Sequence, residues 1–293
     1  MKQGKVLGFI TSATLWITSY TLSIEHIRTK TFSRGEASTI IDTILFPTNQ
    51  NKQRFKIARD AQFKPDPTNE NAVDTRTNAM SADDPRLSFT YDEFPVEGMD
   101  QLLDLAVEEY KESHNGQQPN ILVDLGSGCG RLVLYAAISK KNDMEEVRFQ
   151  HVHGIEISEE LHEIGVKSLG IGVEEGIFSN VDSIRTDDAG GDQKPTINLH
   201  LGPASELSDV LTQADIVFSY STAFDTKGFD EKLGAMILSD EWSKLLAEHC
   251  KPNCVVVTTD KALDPLYGWQ LKHRLDVENP KLFGTTGFVS RLH

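Results

Sequence analysis

The feature that most constrains the fold is a glycine-rich loop that follows a short apolar run. Residues 120–125 are typical of a buried strand, and Gly126, Gly128 and Gly130 then alternate with small side chains before an apolar helix. Glycine allows the backbone to turn sharply and lets a ligand pack against it without a Cβ in the way. The segment therefore predicts a strand, loop and helix that hold a ligand at the strand's end.

Strand-like and helix-like segments alternate from about residue 86 onwards. Further strands are predicted at residues 152–157, 197–201, 216–219 and 255–259. Helices are predicted at residues 98–110, 131–139 and 159–168, and in the region 232–249. The alternation favours an α/β fold with a parallel sheet. Two closing strand-like runs, residues 268–277 and 287–292, predict an antiparallel hairpin on its edge.

An acidic residue ends the second predicted strand. Glu156 is followed by a helix start at Ser158. A carboxylate in this position can accept hydrogen bonds from both ribose hydroxyls of an adenosine cofactor. Its register after the glycine loop predicts that it binds a ribose.

These features together resemble the class I S-adenosylmethionine-dependent methyltransferases. The Gly-x-Gly-x-Gly spacing, with Asp124 two positions before the first glycine, is similar to motif I of that family. There the acidic residue helps to place the amino-acid portion of the cofactor. The resemblance implies a Rossmann-like, mostly parallel seven-stranded sheet with a C-terminal antiparallel hairpin and helices on both faces. It also implies S-adenosylmethionine as the cofactor.

Two shorter matches resemble the non-SET histone-lysine methyltransferases of the telomeric-silencing-disruptor type. In that family a Tyr-Gly-Glu loop closes over the cofactor, and residues 91–93 read Tyr-Asp-Glu here. The family's loop after strand four ends Ala-Phe and lines the lysine channel, as Ala223 and Phe224 would. The resemblance covers roughly residues 86–293 and implies methyl transfer to a protein lysine.

The same loops also depart from that family. Tyr220 and Ser221 stand where the family has an Asn-Asn pair. Gly202 and Pro203 stand where a Gly-Asp is expected, whose acid would contact the adenine amine. These changes leave cofactor binding as the expectation and put the identity of the acceptor in doubt.

The resemblance implies two groups of site residues. Tyr220, Ser221 and Phe224 are the candidates for the wall of the acceptor pocket and hence for the catalytic group. The candidate cofactor-binding residues are Tyr91, Glu93, Asp124, Gly126, Ser127, Gly128, Gly130, Glu156, Gly202 and Ala204. The three cysteines and the histidines near predicted strands lack metal-ligand spacing, so we expect no metal site.

Charge is distributed unevenly and restricts the partners. The chain carries a net charge of −15, but residues 1–64 hold ten Lys/Arg against four Asp/Glu, so residues 65–293 carry −21. An acidic domain repels phosphate backbones, which predicts that nucleic acid is not a partner. It would attract a basic protein segment instead.

The N-terminus predicts a membrane or targeting segment. Residues 6–24 contain no charged side chain and have about the length that crosses a bilayer. A signal anchor or an organelle or secretory targeting sequence is predicted, with a soluble helix or a disordered leader as the alternative. Three zones follow: a hydrophobic leader at 1–30, a basic segment and polar linker at 31–85, and a methyltransferase domain at 86–293.

The expected function is therefore S-adenosylmethionine-dependent methyl transfer to a protein side chain, with lysine as the acceptor. Two alternatives stay open. One is a methyltransferase that acts on small molecules. The other is a cofactor-binding pseudoenzyme that serves as a membrane-tethered interaction module, which the changed residues at 203, 220 and 221 leave possible.

Overall fold

The described part of the protein consists of strands that alternate with helices along most of the chain. The computed structural model describes residues 22–62, 93–140, 148–180, 195–279 and 284–293. The strands are β1 Leu22–Thr29, β2 Ile121–Leu125, β3 His151–Glu156, β4 Phe178–Asn180, β5 Thr196–Leu201, β6 Ile216–Ser219, β7 Thr226–Asp230, β8 Ala235–Leu238, β9 Val255–Thr259, β10 Lys261–Ala262, β11 Trp269–Val277 and β12 Thr285–Leu292. The α-helices are α1 Arg34–Ile40, α2 Asn51–Gln62, α3 Val96–Ser113, α4 Arg131–Ile138, α5 Glu159–Glu174, α6 Ser208–Gln213 and α7 Asp240–His249.

One large sheet organises the fold. Within the described residues it has nine strands, in the order β11-β12-β9-β6-β2-β3-β5-β1-β4. The strands from β9 to β5 run parallel, while β12 is antiparallel to both β9 and β11. The first seven strands of that order confirm the predicted sheet and its C-terminal hairpin. The antiparallel strands β1 and β4 extend it beyond β5, which the sequence analysis did not predict.

Helices cover both faces of this sheet, as predicted. Along β2, Leu122 packs into a core with α3 and α4, whereas its neighbour Val123 packs into a second core with α6 and α7. Phe218 and Val217 of β6 divide between the same two cores. Successive side chains of a strand point to opposite faces, so apolar runs without polar alternation are what a doubly covered sheet requires.

The prediction of a membrane-anchored localisation through residues 6–24 is wrong. Residues 22–24, at the end of that segment, begin β1, which pairs with β5 from Leu22 opposite Leu201 onwards. In the ranges that the structure describes, no helix has the length and apolar character needed to cross a membrane. Residues 6–21 lie outside the described residues.

Residues 31–62 pack onto the sheet and its helices. Ser33 caps α1 through a capping box with Glu36, which fixes where the helix begins. The Arg34 guanidinium then donates two hydrogen bonds, of 2.7 and 2.9 Å, to the Asp104 carboxylate on α3. Residues 63–85, in which the polar linker was predicted, lie outside the described residues.

The helix predicted in the region 232–249 begins later than expected. It starts at Asp240, because the residues before it form β8, which pairs with β7 and β10 in a small separate sheet. Ala235 and Ile237 of β8 are buried against Phe288, so this apolar run packs as a strand. Short apolar runs of this kind do not distinguish a strand from a helix by periodicity.

Candidate active site

A cleft with an empty volume of about 910 Å³, partly open to solvent, lies at the carboxyl ends of the parallel strands. In open α/β sheets this edge is where ligands bind. The cleft is lined by Glu93, Phe94, Asp124, Leu125, Gly126, Ser127, Gly128, Cys129, Arg131, Leu132, Ile155, Glu156, Ile157, Leu161, Gly202, Pro203, Ala204, Tyr220, Ala223, Phe224 and Trp242. Most of the predicted site residues are therefore brought together in one place.

The glycine loop forms the floor of the cleft. Gly126 and Gly128 have φ angles of +77° and +57°, a region that residues with a Cβ rarely adopt. A Cβ on Gly126 would also lie 3.6 Å from the ring of Phe224. Gly130, by contrast, caps α4 and is not one of the residues that line the cleft. Its contribution is to the turn that leads into the helix, where its N–H donates to the Ser127 carbonyl.

Glu156 ties the glycine loop to the loop after β3. Its Oε2 accepts a hydrogen bond of 2.7 Å from the Gly128 N–H, and its Oε1 accepts one of 2.7 Å from the Ser158 N–H. Burial raises the pKa of Glu156 to about 7, against the lowering effect of these backbone hydrogen bonds. Each carboxylate oxygen can accept a second hydrogen bond. Binding of ribose hydroxyls by Glu156 stays a prediction with which this position agrees.

Asp124 lines the cleft and has a buried carboxylate oxygen without a partner in the described part of the chain. The residue is 2% exposed, and its Oδ2 has no hydrogen-bond partner among the described residues. Burial, and then the neighbouring charge of Glu156, raise the pKa of Asp124 to about 8. A buried acceptor without a partner costs free energy, and a buried ionised carboxylate costs more. A ligand with a cationic donor would remove both costs.

Four aromatic rings line the cleft, in two pairs. Phe94 and Tyr220 have ring centroids 5.0 Å apart, while Phe224 stacks on Trp242 at 4.3 Å. Tyr220 and Phe224 were predicted here, whereas Phe94 and Trp242 were not. Phe94 follows a predicted site residue directly and could have been included on that ground. Trp242 lies on α7, and nothing in its sequence neighbourhood points to the cleft.

Ser221 was predicted to line the acceptor pocket, and the structure corrects this. It is fully buried outside the lining, where its hydroxyl donates to the Thr259 carbonyl and accepts from the Thr259 N–H, both at 3.0 Å. Lys261 holds the same turn by donating to the carbonyls of Ser221 and Thr222. Ser221 thus fixes the loop that carries Phe224, because both hydrogen-bonding functions of its hydroxyl are used by β9.

The remaining predicted residues divide between the cleft and the undescribed part of the chain. Glu93, Gly202 and Ala204 line the cleft. Pro203 lines it as well and offers no carboxylate for an adenine amine. Tyr91 lies outside the described residues.

Two neighbouring histidines, one on β3 and one on β5, lie apart from the lining of the cleft. The rings of His153 and His200 stack at 5.3 Å, with Nδ1 of the first 3.0 Å from Nε2 of the second. Burial and the neighbouring His200 lower the pKa of His153 to about 3. Burial likewise lowers the pKa of His162, on α5, to about 4. Among the described residues no group of three or more His, Cys, Asp or Glu could hold a metal ion.

Comparison with known proteins gives similarity of fold. No protein-family model matches the chain, and no curated protein matches it. A Salinibacter ruber RNA methyltransferase solved with S-adenosyl-L-homocysteine is 20% identical over 69% of this chain and 94% of that one, with a TM-score of 0.39. The Synechocystis magnesium protoporphyrin IX methyltransferase with bound S-adenosylmethionine is 14% identical over 70% and 86%, with a TM-score of 0.37. A precorrin-6y C5,15-methyltransferase from Geobacter metallireducens is 12% identical over 65% and 87%, at 0.35.

At these identities the likeness concerns the fold and does not extend to substrates. These three proteins are methyltransferases, and none is a histone-lysine enzyme. The exclusion of a nucleic-acid partner stays a prediction from charge alone.

Proposed function

We propose that this chain is an S-adenosylmethionine-dependent methyltransferase whose acceptor is a lysine amine on a basic protein. The observation that carries the proposal is the unpartnered Oδ2 of Asp124. Asp124 lines a cleft whose floor is the glycine loop and which Glu156 and four aromatic rings also line. The proposal agrees with the methyltransferases to which the fold is similar.

The residues of the cleft fit this cofactor. Asp124 would accept the ammonium group of its amino-acid portion, which meets the unsatisfied oxygen with a cationic donor. Glu156 would accept the ribose hydroxyls, and the backbone at Gly126 and Gly128 leaves room for the ligand to pack closely. When bound, the cofactor supplies an electrophilic methyl group on a positively charged sulfur.

The protein's own contribution is alignment and the exclusion of water. Phe94, Tyr220, Phe224 and Trp242 contribute apolar surface to the cleft, and aromatic faces attract cations. The Tyr220 hydroxyl accepts a hydrogen bond of 3.2 Å from the Asn279 amide, which limits how the ring can turn. An amine acceptor loses its proton to solvent before it reacts, so no dedicated base is required.

The choice of a lysine acceptor depends on charge and on the aromatic wall. The chain carries a net charge of −15, which attracts a lysine-rich segment and repels a phosphate backbone. An aromatic-lined cleft can accommodate the apolar stem of a lysine together with its amine. The test below distinguishes this acceptor from a metabolite and from RNA.

The test has two stages, both on the full chain. Calorimetric titration with S-adenosylmethionine and S-adenosylhomocysteine should show micromolar binding, and the isosteric Asp124→Asn variant should bind at least about tenfold more weakly. Absence of binding to folded wild-type protein refutes the proposal.

Labelled methyl groups are then followed into separated protein, RNA and small-molecule fractions of a cell extract. Methyl-lysine in protein hydrolysates supports the lysine acceptor, and label confined to RNA or metabolites contradicts it while leaving methyl transfer in place. Cofactor binding with no labelled product in any fraction would favour a pseudoenzyme.

A further inference from the structure

An ion pair joins α2 to the wall of the cleft. The Arg54 Nε donates to Glu93 Oε1 at 2.7 Å, and its Nη2 lies 3.3 Å from Oε2, so the guanidinium engages both carboxylate oxygens. The side chains are only 5% and 8% exposed. Glu93 lines the cleft, whereas Arg54 lies behind it.

The Arg54 side chain is itself held in place. Its Nη1 donates to the Pro47 carbonyl at 3.3 Å, and its Nη2 also donates to the side-chain oxygen of Asn51. The guanidinium carbon lies 5.6 Å from the centre of the Phe46 ring. A planar guanidinium fixed on several sides can impose one orientation on the carboxylate that it binds.

A second arginine ties the same region to the cleft wall. Arg131, the first residue of α4, lines the cleft and donates to the Phe94 carbonyl at 3.1 Å. It also donates to the Asp42 carboxylate at 2.7 Å. Glu93 and Phe94 are thus attached to residues 42–54 by two separate polar connections.

We propose that Arg54 is a positioning residue of the cleft, which orients the Glu93 carboxylate toward the bound cofactor. The inference rests on the proposed function, since the cofactor is the ligand that Glu93 would meet. It follows that α2, which the sequence analysis placed outside the methyltransferase domain, completes the cofactor site. Replacing a buried ion pair by apolar groups is often neutral or stabilising, so stability alone gives little reason for this pair.

The chain supplies a matched control. Arg34 joins the same N-terminal region to α3 through Asp104, with two hydrogen bonds of 2.7 and 2.9 Å. Neither residue lines the cleft. Arg34→Gln therefore weakens the attachment of this region without touching Glu93.

The experiment measures S-adenosylmethionine affinity by calorimetry for full-length wild type, Arg54→Met, Arg54→Lys, Glu93→Gln, Arg54→Lys/Glu93→Gln and Arg34→Gln. Thermal unfolding of each protein is recorded alongside. Arg54→Lys keeps the positive charge and loses the planar fork, so it provides a folded variant when the loss of the Arg54 charge beside buried Glu93 prevents Arg54→Met from folding.

We expect Arg54→Met to raise the dissociation constant about tenfold or more, and Arg54→Lys to raise it by a smaller factor. The double variant should bind like Glu93→Gln alone, because Arg54 acts through Glu93. Arg34→Gln should lower the unfolding temperature and leave the affinity within about twofold of wild type.

Three results would overturn the inference while the proposed function stands. The first is wild-type affinity in both Arg54 variants. The second is a change in affinity by the same factor when Arg54→Lys is made with and without Glu93→Gln. The third is a loss of affinity in Arg34→Gln as large as the loss in Arg54→Met. A folded wild-type protein that binds no S-adenosylmethionine overturns the proposed function itself, and the inference with it.

Discussion

The ionisation of Asp124 gives the most direct test of the cleft. Its pKa is raised to about 8 by burial and by the charge of Glu156. A carboxyl group with that pKa is about nine-tenths protonated at pH 7. A ligand ammonium group beside it favours the ionised form, since an opposite charge lowers the pKa of a carboxyl. Cofactor binding at pH 7 should therefore release on the order of one proton from Asp124.

The release is measured by calorimetric titration with S-adenosylmethionine at pH 7, in two buffers that differ in ionisation enthalpy. The difference between the two observed enthalpies gives the number of protons exchanged. Glu156, with a pKa raised to about 7, also contributes, so the comparison is between wild type and Asp124→Asn. The variant should bind more weakly and should lack the share of the release that belongs to Asp124.

The same pKa makes the ligand-free protein sensitive to alkaline pH. Between the unfolded pKa of 3.8 and the folded pKa of about 8, the folded state holds more protons on Asp124 than the unfolded state. The resulting stability is present at low pH and is lost as the pH rises through that window. Relative to wild type, Asp124→Asn should thus gain about 3 kcal/mol of unfolding free energy between pH 6 and pH 9, because the folded-state pKa lies about two pH units above pH 6.

Denaturant unfolding of the two ligand-free proteins at both pH values checks this gain. Equal proton release by wild type and Asp124→Asn, together with a stability difference between them that does not change with pH, would show that the ionisation of Asp124 changes neither on binding nor between the two pH values. That result would refute the account of Asp124 as a carboxyl group that a cationic ligand completes.

Three further predictions concern the loops and the histidines. Gly128→Val should raise the cofactor's dissociation constant at least about tenfold, because φ at this position is +57°; unchanged affinity in a folded protein, checked by circular dichroism, would contradict it. Ser221→Ala should lower the free energy of unfolding in urea by about 1–3 kcal/mol, because it loses the hydrogen bonds to Thr259, and should keep the cofactor affinity. A loss of binding free energy as large as the loss of stability would place Ser221 in the cofactor site. Because the pKa of His153 is lowered to about 3 in the folded state, only the unfolded state protonates this side chain between pH 6.5 and pH 3, and stability should fall as the pH drops below about 6.5. In urea unfolding at pH 7 and pH 5, His153→Asn should reduce the dependence of unfolding free energy on pH. An unchanged dependence would contradict the prediction.

Local sequence pattern was enough to predict the strand, glycine loop and helix around Asp124, the succession of parallel strands along the chain and the closing hairpin. These are local features. Each can be recognised from a few consecutive residues. Examples are a run of buried apolar residues, a loop that needs positive φ at Gly126, and an acidic residue at the end of β3. The cleft could be expected because parallel strands bring their carboxyl ends to one edge.

Tertiary structure alone decided which distant residues complete that edge. Trp242 reaches the cleft from α7, and Arg54 binds Glu93 across 39 positions of the chain. Ser221 turns away from the cleft because β9 satisfies its hydroxyl. The apolar segment 6–24 looked long enough for a membrane, but its last residues, 22–24, belong to β1, which pairs with β5. Each of these outcomes depends on partners far away in sequence, and local pattern carries no information about them.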